Sequence, residues 1–234
     1  MIKSRAGILI LFLTFSGVIA FSQVNDAGLW LSANIENKIT PALSFTFSEE
    51  LRMNENITEA GSVFSDFGLA YKFGTRFRIS ANCRFTNKRR VDDSYDNRFR
   101  YYFDFTYREK VNPLIFLLRV RVQSQYTDIY RSPDGKIPDN FARTKLTIKL
   151  DLNLKIVPYI YGESFFHMND PERIFFKAFR YCAGMEYSFD RLHKVDLYYM
   201  IQREYNVVDP ENYFIIGLGY YFTLPDFKTQ RTKQ

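Results

Sequence analysis

Six arginines carry the strongest chemical signal in this chain. Arg78 and Arg84 lie in "RFRISANCRF", Arg98 and Arg100 in "RFRYYFDFTYR", and Arg119 and Arg121 in "LIFLLRVRVQSQY", always on the polar side of a two-residue alternation. Extended chain turns successive side chains to opposite faces, so neighbouring strands would bring these guanidiniums onto one wall. Arg76, Arg108, Arg143 and Lys145 extend the same pattern, and Glu50, Asp66, Asp104, Asp151, Glu163, Glu186 and Asp196 balance it in part. Two roles are open for such a wall. Paired with carboxylates, it is a structural plug of ion pairs that satisfies charges held away from bulk water. Left partly unpaired, it lines a narrow pore that prefers anions, as charged rings do in selective channels.

Catalytic chemistry has less to work with. The chain has two histidines. His193 sits in the turn-like "DRLHK", the position of a solvated loop residue. His167, in "GESFFHMND", shares a face with Glu163 and is the one candidate base, but Ser164, the nearest serine, has the opposite parity. No second member of a nucleophile–base pair is visible, so no enzyme is expected. Cys83 and Cys182 have no metal-ligand spacing and read as isolated small residues on strands, although an exported chain could join them in one disulfide. No metal site and no cofactor are expected. The net charge of +6 is mild, and nucleic acid is not the natural partner of an exported protein with such a balance.

The elements that must hold the arginines are strands. From Leu29 onward almost every segment alternates with period two, and none keeps a helical stripe for more than a turn. In the three segments above, Phe77, Ile79, Cys83, Phe99, Phe103, Leu118 and Val120 occupy the apolar face; in "ARTKLTIKLDL", Leu146 and Ile148 do. The 24 Phe and 17 Tyr are unusual beside a charged share of 25%, a combination that a water-soluble domain seldom needs. Strands are expected near 28–39, 42–53, 63–73, 76–89, 97–109, 114–129, 142–152, 156–167, 175–189, 194–205 and 213–224. Many match the roughly 9 to 11 residues that cross a bilayer at a tilt. Tight links at Thr40-Pro41, Gly74-Thr75, "VNP", "NLK" and "DRLH" alternate with the longer "ENITEAGS", "RRVDDSYD", "RSPDGKIPDNF" and "NDPERIF". Short turns at one end and long loops at the other belong to outer-membrane barrels, with the short ends in the periplasm. Aromatics at strand ends (Tyr126, Tyr130, Phe165, Phe166, Phe175, Phe176, Tyr220, Tyr221 and Phe222) suit interfacial girdles. Eleven segments conflict with the even count of bacterial single-chain barrels, so ten or twelve strands are expected, with 28–39 the most doubtful.

The two ends of the chain fit an exported barrel. Lys3 and Arg5 precede an apolar run from Ala6 to Phe21, and Ala20-Phe21-Ser22 offers small residues for cleavage, so residues 1–22 are expected to be a secretory signal rather than an anchor helix. Residues 23–224 then form one barrel domain, and 225–234 a polar tail. "YFIIGLGYYFTL" is similar to the C-terminal strand that the barrel-assembly machinery recognises in outer-membrane proteins, from which it departs by the tail that follows it.

"DAGLWLSANIENKI", "SFTFSEELRMNEN", "NRFRYYFDFTY" and above all "REYNVVDPENYFIIGLGYYF" resemble the family catalogued as domain of unknown function 2490, presumed outer-membrane β-barrels of Gram-negative bacteria. The resemblance spans nearly the whole mature chain and implies the same fold and location, with no activity and no site residues to carry over. The expectation is an all-β, antiparallel up-and-down transmembrane barrel of about 10 to 12 strands in the outer membrane, with lipid around it, no cofactor, and a small solute or ion as the ligand if it has one. Its function is that of a structural barrel or a narrow channel. The alternatives are an outer-membrane lipid-acting enzyme and a soluble periplasmic lipid-binding barrel.

Overall fold

The computed structural model describes residues 24–90, 92, 94–127, 137–169, 175–207 and 210–225. The expected signal, residues 1–22, lies outside them, as do Tyr130 and all but the first residue of the tail. Eleven strands follow one another: β1 (Val24–Lys38), β2 (Leu43–Asn54), β3 (Glu59–Phe73), β4 (Phe77–Arg89), β5 (Tyr95–Val111), β6 (Leu114–Thr127), β7 (Asp139–Leu150), β8 (Ile156–His167), β9 (Phe176–Ser188), β10 (His193–Glu204) and β11 (Glu211–Thr223). Each pairs antiparallel with its neighbour in sequence, and β1 pairs with β11 to close a barrel.

The closure corrects the even count. An odd number of up-and-down strands leaves the first and last running the same way, so β1 and β11 must pair in parallel, which they do from Val24↔Glu211 to Glu36↔Thr223. The doubtful first segment is therefore a full member of the barrel, hydrogen-bonded to β2 on its other side. A further consequence is that β1 begins at the long-loop end and β11 finishes at the short-turn end.

Turn chemistry explains the short links. Gly74 takes a φ of +61°, with open space where a side chain would stand, and turns β3 into β4. The Asp190 carboxylate accepts the Leu192 and His193 backbone N–H groups, both at 2.7 Å, which hold it below the usual carboxylate range and fix the β9–β10 turn. One expected loop is shorter than the sequence suggested. β3 begins at Glu59, so "ENITEAGS" reduces to a turn in which Glu55, Asn56 and Ile57 all have positive φ, and the Thr58 N–H and hydroxyl both bond the Glu55 carbonyl. Asn56 adds a bond from its N–H to Asp26 Oδ1 at 2.8 Å, tying this turn to the start of β1.

The two faces separate as alternation requires. Phe103 is 65% exposed on the outside of β5, whereas its neighbour Tyr102 is 5% exposed inside. Leu118, Val120 and Val122 are likewise outward on β6, while Arg121 and Gln123 are buried. An apolar belt of this extent around a closed barrel is far larger than a water-soluble surface carries. Glu49 interrupts it, accepting the Ser65 hydroxyl at 2.6 Å. Two of the strand-end aromatics depart from the girdle expectation and turn inward: Phe165 lies under the Arg143 and Arg180 guanidiniums, and Tyr221 under the Lys194 ammonium. Inside, Tyr198 packs over Gly217 and Gly184 so closely that a Cβ at either glycine would collide with it. Small residues on one strand thus make room for rings from the next.

Candidate functional site in the bore

The arginine wall exists as the parity implied. Strands β4, β5 and β6 are consecutive, and their registers align Arg84 with Arg100 and Gln125, and Arg78 with Thr106 and Arg119. Arg84 reaches Asp66 on β3 at 2.6 Å, and the Tyr102 hydroxyl donates to the same carboxylate at 2.7 and 2.6 Å. Arg121 holds Asp104 through two parallel bonds of 2.7 Å each, the bidentate geometry in which a guanidinium binds a carboxylate best. Arg119 meets Glu163 on β8 at 2.5 Å. Arg78 is near Glu36 at 3.9 Å. Arg98 and Arg100 differ from these four. Arg100 donates to the Gln125 side-chain oxygen through Nε at 3.2 Å and through Nη2, and the buried Arg98 Nε has no hydrogen-bond partner.

Three carboxylates organise the rest of the bore. Glu163, 2% exposed, receives Arg119, Arg143 at 2.8 Å and Arg180 at 3.7 Å, so guanidiniums from β6, β7 and β9 converge on one group. Glu186 takes Lys149 at 2.7 Å and Lys194 at 3.3 Å. Asp196 accepts the Tyr159 hydroxyl at 2.9 Å. Beside them lies an apolar cluster of Met200, Cys182, Ile215 and Tyr159, with Trp30, Tyr161 and Tyr198 packed on it, and Met200 is fully buried. Inward aromatics sit under the cations: Arg52 stacks on Trp30 at 3.6 Å, Arg84 on Phe64 at 3.8 Å, Arg121 on Tyr102 at 3.8 Å and Lys145 on Tyr161 at 3.5 Å. Such stacking desolvates a cation with partial electrostatic compensation. Charge pairs and rings together fill much of the bore, leaving a polar cup of 510 Å³ at the short-turn end, one of 640 Å³ at the long-loop end, and two smaller spaces of 270 and 180 Å³ inside its long-loop half.

Several sequence expectations resolve differently. Asp151 follows β7 and pairs with Lys110 at 2.7 Å at the short-turn rim, and Arg76 pairs with Glu109 at 3.4 Å there, so neither belongs to the inner wall. His167 faces inward, stacked on Phe141 and 3.5 Å from Asp139, while Ser164 faces outward beside an external groove. The candidate base and the nearest hydroxyl are thus on opposite sides of the barrel wall. His193 opens β10 on the outer face, 2.6 Å from the Tyr220 hydroxyl and stacked on Phe222. Both cysteines are free. Cys83 shares the outward face of Ile79 and Phe85, and Cys182 is buried in the apolar cluster, so no disulfide joins them. Among the described residues no group of His, Cys, Asp and Glu could hold a metal ion.

Arg52, Arg180 and the inward rings of Trp30, Phe64 and Tyr161 were not singled out by the sequence, although their parity was available. Arg180 alternates with Cys182 and Gly184 on the inward face of β9, which reads as apolar or small and gives no sign of a charge.

No curated protein matches the chain. Among solved structures, the crystal structure of the β domain of the Bordetella autotransporter Brka is similar with a TM-score of 0.48 and 10% identity, covering 75% of this chain and 81% of that one. At that level the likeness carries no argument about the present chain. The sequence itself is matched from β1 into β11, over residues 27–213, by the family described as protein of unknown function, DUF2490, and the chain belongs to that family.

Proposed function

We propose that this protein is an outer-membrane β-barrel whose bore is closed by its own side chains, a structural barrel with at most a narrow, anion-preferring path. The observation that carries the reading is the convergence of Arg119, Arg143 and Arg180 on Glu163, inside a bore whose apolar cluster fully buries Met200. A water-filled porin leaves such groups hydrated along the wall; here they meet one another and the rings. The outward apolar belt supports a lipid surrounding, because a barrel that carries lipid in water presents its apolar side to the cavity instead. Export through a cleaved signal, and insertion by the barrel-assembly machinery acting on β11, complete the proposal. We assign no catalytic role to His167 and Ser164, because a base and a hydroxyl on opposite sides of the wall cannot exchange a proton.

The purified, folded protein in a planar bilayer is expected to give almost no current. Where brief openings occur, they should favour anions, because basic residues outnumber acidic ones on the β4–β6 wall. A large, steady, weakly selective conductance would contradict the closed bore.

A further inference from the structure

A 180 Å³ cavity lies inside the bore against strands β2 to β6. Its walls carry five cations, Arg52, Arg84, Lys88, Arg98 and Arg100, and no carboxylate. Arg52 and Arg84 are compensated from outside it, by Glu50 at 2.6 Å and Asp66 at 2.6 Å. The other three form no ion pair among the described residues: Lys88 feels Glu204, Glu211 and Asp96, and Arg98 feels Asp96 and Asp139, only at longer range, Arg98 Nε is buried without a hydrogen-bond partner, and the bonds of Arg100 go to the neutral amide of Gln125. Arg84 and Arg100 are moreover directly opposed on β4 and β5. Like charges in that relation repel, and the repulsion grows as water is withdrawn.

We propose that this cavity is a binding site for a small tetrahedral oxyanion of the phosphate class, entered from the long-loop end. Guanidinium forks match oxyanions bidentately, which a monatomic halide cannot exploit. Ser62 and Thr86 line the same space and add hydroxyl donors. The space is ample for one such ion with part of its hydration shell. Access follows from shared walls. Lys88 and Arg98 also border the outer cup, where Arg89 pairs with Glu59, Arg90 pairs with Asp96 at 3.0 Å and lies 3.9 Å from Asp92, and Glu55 and Glu211 complete the acidic side of the wall. Below the cavity, the Arg84–Asp66–Tyr102 and Arg121–Asp104 groups separate it from the short-turn end. The inference rests on the closed-bore reading, since an open bore would dilute the site into a hydrated channel.

Trp30 is the only tryptophan in the chain and has Arg52 stacked on it, so its fluorescence reports on the cavity wall. Inorganic phosphate titrated into the folded protein in detergent should change that fluorescence saturably, with matching heat in calorimetry and little competition from chloride. Arg100→Gln and Arg98→Gln should each weaken binding about tenfold or more, while Arg76→Gln at the short-turn rim should not. Faster migration of each variant before boiling than after it verifies folding, and relief of like-charge repulsion favours that outcome. No saturable signal by either method, equal displacement by chloride, or affinity unchanged in Arg100→Gln would overturn the proposal. Current in a planar bilayer is read separately: a conducting barrel rejects the closed bore, whereas a silent barrel that binds no phosphate rejects the anion site alone.

Discussion

A carboxylate held by three guanidiniums stabilises a fold only while it is charged and in place. Glu163 is in that position, and Glu163→Gln keeps its size while leaving Arg119, Arg143 and Arg180 without their shared counterion. Removing one partner from a buried ionic group costs about 3 to 5 kcal/mol, because the surviving charges stay desolvated. The variant should therefore unfold at lower denaturant than the parent when followed by loss of the fast-migrating band, and an unchanged midpoint would show that the hub contributes little. The sequence made the side of each arginine legible, because parity alone decides it. Partners were harder to see. That Arg84 meets Asp66, which the register sets directly opposite it on β3, rather than Asp104 or Glu50, depends on hairpin register and on Tyr102 supplying the second donor, neither of which alternation fixes.

Among the elements, β1 and its parallel seam with β11 depart furthest from the sequence expectation. The segment boundaries were legible from alternation and turn residues, and the eleven segments counted are the eleven strands found. What misled was the rule that bacterial barrels close with even numbers, which cast doubt on the first segment when its own pattern, Leu29, Leu31 and Ala33 on one face, was sound. The register places Ala33 beside Tyr220 on the outer face. With Cys83 and Cys182 replaced by alanine, Ala33→Cys and Tyr220→Cys should form a disulfide under mild oxidation, since adjacent strands lie about 4.8 Å apart. Leu29→Cys with Tyr220→Cys is displaced along the strands by four residues and should not. Cross-linking in neither pair would mean that β1 lies elsewhere and that the barrel closes without it.

For the whole molecule, the sequence conveyed an apolar outside and a charged inside, and the structure keeps both. It could not convey how full the inside is. Whether side chains from opposite walls meet depends on barrel diameter, which follows from strand number and shear together, and on inward rings such as Phe64, Tyr161 and Phe165, whose alternation with charges looks the same in a wet lumen as in a filled one. The long-loop end was also only partly legible, because "ENITEAGS" closes as a turn. The central claim is that this inverted arrangement exists to meet lipid, and the most direct measurement is fractionation of the cell of origin followed by electrophoresis with and without boiling. The protein is expected in the outer-membrane fraction, running faster before boiling than after it, as a folded membrane barrel does. Recovery in the soluble periplasmic fraction, with a mobility that boiling leaves unchanged, would contradict it.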